Sequence, residues 1–121
     1  MSPGDVVLVR FPFTGLDSTK KRPALVLTTL MIGKRAEIVT LAMITSQIDG
    51  VKLAGDTLIA EWKRAHLLHP SLVRLAKIAT LDRALIERRL GSLAGSDIAS
   101  VRSGFVKTFR HWIQGSPALD S

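Results

Sequence analysis

Two short segments hold the residue types best suited to phosphate chemistry. K-K-R-P-A-L-V-L (residues 20–27) sets a cationic cluster at the mouth of an apolar strand. I-T-S-Q (residues 44–47) ends a second apolar run in three consecutive polar side chains. If the two strands share a sheet, the guanidinium of Arg22 and the hydroxyls of Thr45 and Ser46 converge on one point. A guanidinium neutralises a phosphodiester and can grip two of its oxygens, while a hydroxyl donates or accepts a short hydrogen bond. Arg22 is always protonated, so its natural role is to stabilise charge in a transition state. Neither Arg22 nor Thr45 is an obvious general base, and the residue types alone do not identify one.

The three histidines allow another mechanism, because imidazole can give and take a proton near neutrality. His66 and His69 stand three apart, but Leu67, Leu68 and Pro70 around them favour a surface loop. No third ligand of suitable spacing accompanies the pair, so no metal site is expected there. His111, beside Trp112, reads as structural. The carboxylates are scattered, without a D-x-D or E-x-K grouping, which argues against a two-metal nuclease.

The elements that must position these groups are mostly strands. Gly4-Asp5 opens a first strand over residues 6–11, Val-rich and apolar on both faces, which Pro12 ends. Residues 14–21 read as a polar loop. Pro23 biases Arg22 to an extended backbone and places the second strand, reaching to about Thr29, at an edge or sheet end. After a turn at Gly33-Lys34-Arg35, a third strand spans residues 37–45 and a fourth residues 57–60. Residues 71–75 and 77–79 read as two short strands or one kinked strand. Residues 81–90 read as a short helix stopped by Gly91. A last helix over residues 97–113 takes Asp97 as its cap and buries a stripe of Ile98, Val101, Phe105, Phe109 and Trp112. The expected fold class is therefore mainly β: a small curled or half-open antiparallel barrel of short strands with peripheral helices. Residues 1–114 form one domain in this reading, and residues 115–121 a disordered tail.

Composition narrows the partners. The 121 residues suit one domain, and 46% apolar content supports a core. There are no cysteines, which excludes zinc ribbons, Fe–S clusters and thiol redox chemistry. No signal peptide or membrane span is visible, so a cytoplasmic location is the default expectation, and no cofactor is implied. Seventeen Lys and Arg against ten Asp and Glu give a net charge of +7, which attracts polyanions. Four Phe, two Trp and no Tyr leave little for base stacking, with Phe11, Phe13 and Trp62 the plausible rings. Lys20, Lys21, Lys34 and Arg35 read either as a phosphate-tracking rim or as solubilising charges.

Five blocks stand in a recognisable order: G-D-V-V-L-V-x-F-P-F, K-K-R-P-A-L-V-L, I-T-S-Q, P-S-L-V-R and A-T-L-D-R-A-L-I, spanning residues 4–93. Together they resemble the MazF/PemK toxins of type II toxin–antitoxin systems. The resemblance implies an SH3-like barrel with a C-terminal helix, a homodimer, and metal-independent cleavage of single-stranded RNA through its own 2′-hydroxyl. It also implies a cognate antitoxin whose flexible acidic tail blocks the groove. Arg22 and Thr45 match the family's catalytic arginine and threonine. Lys20, Lys21, Ser46, Gln47 and Phe13 are then the candidate RNA contacts. Arg10 and His66 depart from the family pattern, as does Leu75-Ala76 where an acid is common, which leaves the RNA sequence preference open. The alternative is a non-enzymatic toxin or binding module on the same barrel, such as a gyrase poison of the CcdB kind. The Arg22–Thr45 conjunction favours the nuclease.

Overall fold

The computed structural model describes residues 1–10 and 20–116. Six strands form one antiparallel sheet: β1 (Asp5–Arg10), β2 (Lys21–Ile32), β3 (Ala36–Thr45), β4 (Thr57–Ile59), β5 (Ser71–Asp82) and β6 (Ile86–Ser92). Their spatial order is β4-β5-β3-β2-β1-β6, so the sheet stays open, with β4 and β6 at its edges. Two helices follow, α1 (Gly95–Thr108) and α2 (Arg110–Gln114).

The topology forces a strong curl. β5 and β6 lie four strand positions apart, about 19 Å in a flat sheet at the usual spacing. Only Arg83–Leu85 joins them, and such a link reaches at most about 14 Å. The sheet must therefore bend until its ends approach. Register shifts between Val26 and Thr28 on β2, and between Ala42 and Met43 on β3, supply the local bends.

Alternation along the strands buries both faces. Val6, Leu25, Ala42, Ile44, Val73 and Leu75 pack with Leu93 and Val101 beneath α1. Val7, Val9, Ala24, Val26, Val39 and Leu41 build a second core on the opposite face. The doubly apolar character of β1 is thus explained: its Val residues alternate between two cores.

Four expectations need correction. Residues 81–90 are not a helix. β5 runs on to Asp82, Arg83–Leu85 make one 3₁₀ turn, and β6 follows. The helix-forming residues in A-L-I-E-R-R-L yield to pairing with β1, where Val9 meets Ile86 and Val7 meets Arg89. Asp82, not Gly91, punctuates the segment, accepting a 2.8 Å bond from the Ala84 N–H. Residues 71–82 form one strand, and Leu75, Ala76 and Lys77 are skipped in its pairing with β3, which is the expected kink.

The C-terminal helix starts earlier than expected and breaks at Phe109. Asp97 does not cap it. Ala94 is the N-cap, without a side-chain bond. The expected stripe is buried only in part: Val101 is in the core and Phe105 packs against it, but Trp112 is 80% exposed. The expected loop over residues 14–21 lies outside the described residues up to Thr19, as does the tail beyond Ser116. Among the described residues, no helix is long and apolar enough to cross a membrane.

Candidate functional site

β2 and β3 run antiparallel with Ala24 opposite Met43. Continuing that register two residues towards the strand ends sets Arg22 opposite Thr45, on one face of the sheet. Both line a cleft of about 350 Å³, together with Ser46. Arg22, Thr45 and Ser46 therefore all line one cleft. Pro23 lines the same cleft from β2 and pairs with Leu8 of β1. Its missing N–H is a natural reason for the β2–β3 pairing to end here.

The Arg22 Nε is buried and, among the described residues, has no hydrogen-bond partner. A buried guanidinium N–H left unpaired is costly, and an oxyanion is its natural complement. Thr45 is 7% exposed, and its Oγ1 accepts a 3.1 Å bond from the Gln47 N–H. That bond fixes the hydroxyl oxygen while leaving its proton free to donate.

The remaining candidates are dispersed. Lys21 lines the cleft, but its ammonium lies 2.7 Å from Glu87 on β6. The Lys21 hydrogen bond, and the nearby charges of Lys21 and Arg10, hold the Glu87 carboxyl below its ordinary range. A phosphate reaching Lys21 must compete with Glu87. Lys20 and Gln47 are exposed and do not line the cleft. Phe13 lies outside the described residues. Lys34 and Arg35 sit at the β2–β3 turn, the end of these strands away from Arg22.

Residues 66–69, whose histidines are expected on a surface loop, form one wall of the cleft. His66, Leu67, Leu68 and His69 all line it. A helical turn, with Ala65 N–H bonded to Glu61 O and Leu67 N–H to Trp62 O, delivers His66 at φ 61°, the one non-glycine residue described with positive φ. Asp97 anchors the start of that turn. Its carboxylate accepts 2.9 Å bonds from the N–H groups of Ala60 and Glu61, which is why an acid is buried in the first turn of α1. Arg88 of β6 adds a further cation to the opposite rim. The spacing of His66 and His69 was the only sequence signal for this wall, and the polarity of the loop did not reveal which way it folds.

The most buried ion pair among the described residues lies away from this cleft. Arg74 sends Nε and Nη2 to the two oxygens of Asp56, at 3.1 and 2.9 Å, and Nη2 also donates to Val51 O. It fixes the 51–56 segment beside β5. Among the described residues no group of three or more His, Cys, Asp or Glu is placed to hold a metal ion.

The fold matches solved toxins. MazF-mt6 of Mycobacterium tuberculosis superposes with a TM-score of 0.66 at 22% identity, covering 88% of this chain and 96% of that one. MazF from Deinococcus radiodurans gives 0.63 at 21%, over 91% and 96%. A mycobacterial endoribonuclease solved with its cognate antitoxin gives 0.65 at 12%, over 91% and 93%. At these identities the likeness carries the fold alone. No curated protein sequence matches significantly. The family described as PemK-like, MazF-like toxin of type II toxin–antitoxin systems matches residues 2–109, nearly the whole chain. On that match, the chain belongs to the PemK-like, MazF-like toxins of type II toxin–antitoxin systems.

Proposed function

We propose that this toxin is an endoribonuclease that cuts single-stranded RNA by attack of the RNA's own 2′-hydroxyl, without a metal ion. The observation that supports the reading is that Arg22, whose buried Nε has no partner among the described residues, lines the same cleft as Thr45. In that role Arg22 stabilises the charge of the crowded phosphorane, and Thr45 donates to a non-bridging oxygen. Ser46, Lys21, Gln47, Lys20 and Phe13 are the proposed contacts to the flanking chain. The net charge of +7 draws the polyanion in. The same basic mouth suits an acidic, flexible segment of a cognate antitoxin, and the protein acts as a homodimer. Family membership supports the activity and the antitoxin.

The test is direct. Purified protein in excess EDTA should cut a long single-stranded RNA to products ending in a 2′,3′-cyclic phosphate. Intact RNA under these conditions, at a protein concentration that still arrests growth in cells, would leave a binding toxin as the answer.

A further inference from the structure

Cleavage through a 2′-hydroxyl needs a group to take its proton. The described residues lining the cleft include no carboxylate. The charged groups facing it are Lys21 and Arg22 from β2, Arg88 from β6 and His69 from the same loop as His66. Lys63 and Arg64 precede His66 within its own turn, and Asp97 on α1 is committed to Ala60 and Glu61. A guanidinium does not give up its proton, and hydroxyls are poor bases at neutral pH. The Lys21 ammonium is held by Glu87, a β6 carboxylate engaged in that pair and not among the residues lining the cleft. Among the described lining residues, two imidazoles remain.

They differ in how they are held. The His66 Nδ1 lies 2.6 Å from the carbonyl oxygen of Leu90. A carbonyl can only accept, so Nδ1 carries the proton. In the neutral ring the lone pair therefore belongs to Nε2, fixed in orientation by the Leu90 contact. The packing enforces this. A Cβ at Gly91 would sit 2.8 Å from Ala65 O and 2.9 Å from the His66 Nδ1, so only glycine lets β6 come this close. The left-handed backbone of His66 is a local strain of the sort that persists where its surroundings over-determine it. The His69 ring has no such tether among the described contacts, although its carbonyl accepts from Ser71 Oγ.

We propose that His66 is the general base of the cleavage: its Nε2 takes the 2′-hydroxyl proton from RNA bound between it and the Arg22–Thr45 pair. This rests on the endoribonuclease reading above. The 2′-oxygen–phosphorus bond forms as the phosphorus–5′-oxygen bond breaks. The 2′ proton passes to Nε2, the leaving 5′-oxygen takes a proton from water, and the imidazolium returns its proton to solvent. The products are a 2′,3′-cyclic phosphate and a 5′-hydroxyl, with no redox change.

The experiment separates tether from base. An asparagine amide can place its NH₂ where Nδ1 stands and accepts left-handed backbone, but has nothing at Nε2 that binds a proton. Full-length wild type, His66→Asn and His69→Asn are assayed on one long single-stranded RNA in EDTA from pH 5 to 8. Wild type and His69→Asn should lose kcat/KM towards acid pH with unit slope. His66→Asn should fall at least about a hundredfold in kcat at pH 7, the scale of a lost general base, with a native melting curve and a flat acid side. Activity of His66→Asn within about tenfold, with the acid limb intact, overturns the proposal and leaves His66 a tether. Should His66→Asn not fold, the wild-type profile decides: no acid limb overturns the proposal, while a limb that His69→Asn retains supports it. Absence of cleavage by wild type instead sinks the endoribonuclease reading, and this proposal with it.

Discussion

Extending the β2–β3 register two residues past the pairing of Ala24 with Met43 sets Arg22 opposite Thr45, and both line one cleft. The backbone register, more than any loop, sets their separation, so the pair is held by two long strands. Arg22→Ala should lower RNA cleavage by about 10²–10³-fold, the usual loss for one oriented donor to a transition-state oxyanion. Arg22→Lys should recover only part, since a point charge lacks the fork. Thr45→Ala should lose activity, and Thr45→Ser should keep much of it. Cleavage rates and melting curves on the same preparations check this, and wild-type rates for Arg22→Ala would remove it from the mechanism.

The Lys21–Glu87 contact restrains a cation at the cleft. Glu87→Gln releases it. RNA binding to this variant should tighten and become more sensitive to salt, with log K against log salt steeper by about 0.7 for the one extra phosphate contact. Titration of a fluorescent single-stranded RNA at several salt concentrations measures the slope. An unchanged slope would mean that Lys21 does not meet a phosphate.

Asp56 governs an acid branch of stability. Burial works against its ionisation, but the hydrogen bonds from Arg74 and the Leu53 N–H, with the charge of Arg74, outweigh burial and hold the carboxyl below its ordinary range. The folded state thus releases this proton more readily than the unfolded chain. The stabilisation is complete above the unfolded carboxylate value of about 3.9 and is lost as pH falls through the lower folded value. The side chains of Arg74 and Asp56 are only 14% and 8% exposed, so removing one partner strands a nearly buried charge. Asp56→Ala should cost about 3 kcal/mol at neutral pH and flatten the acid side of the stability curve. Urea denaturation between pH 2.5 and 7 supplies both readouts.

An antitoxin segment rich in Asp and Glu should compete with RNA for the surface bearing Lys21, Arg22 and Arg88. Association should be fast at low salt and slow as screening shortens to about 8–10 Å at 0.1–0.15 M. Apolar anchors should keep the complex together in salt. Simultaneous binding of an antitoxin peptide and an uncleavable RNA, without mutual weakening, would place the inhibitor elsewhere.

Much of this was legible in the residues. β1, β2 and β3 announced themselves through Val-rich runs and the Pro23 and Gly33 punctuation, and the Arg22–Thr45 seam followed from them. What failed was local in origin. The segment A-L-I-E-R-R-L has helical propensity, but an edge strand offered β1 as partner overrides it, and nothing nearby in sequence signals that partner. Asp97 reads as a cap from its position before an apolar helix. Its actual bonds go to Ala60 and Glu61, some thirty-six residues away. His66 was legible as a histidine in a loop, not as a wall of the cleft, because Leu90 and Gly91 fix its place from a distant strand.

The short link Arg83–Leu85 has a consequence for biosynthesis. It carries the chain from β5 to β6, which pairs with β1 at the opposite end of the sequence, Asp5 against Ser92. Contacts so far apart in sequence form late. A nascent chain that has exposed only β1 to β3 already holds Arg22 and Thr45, yet it lacks Arg88 and the Leu90 carbonyl that completes the opposite wall. At roughly 5–20 residues per second, several seconds of translation separate the seam from the finished cleft. During that interval the chain on the ribosome holds the seam without its facing wall, which arrives only with β6.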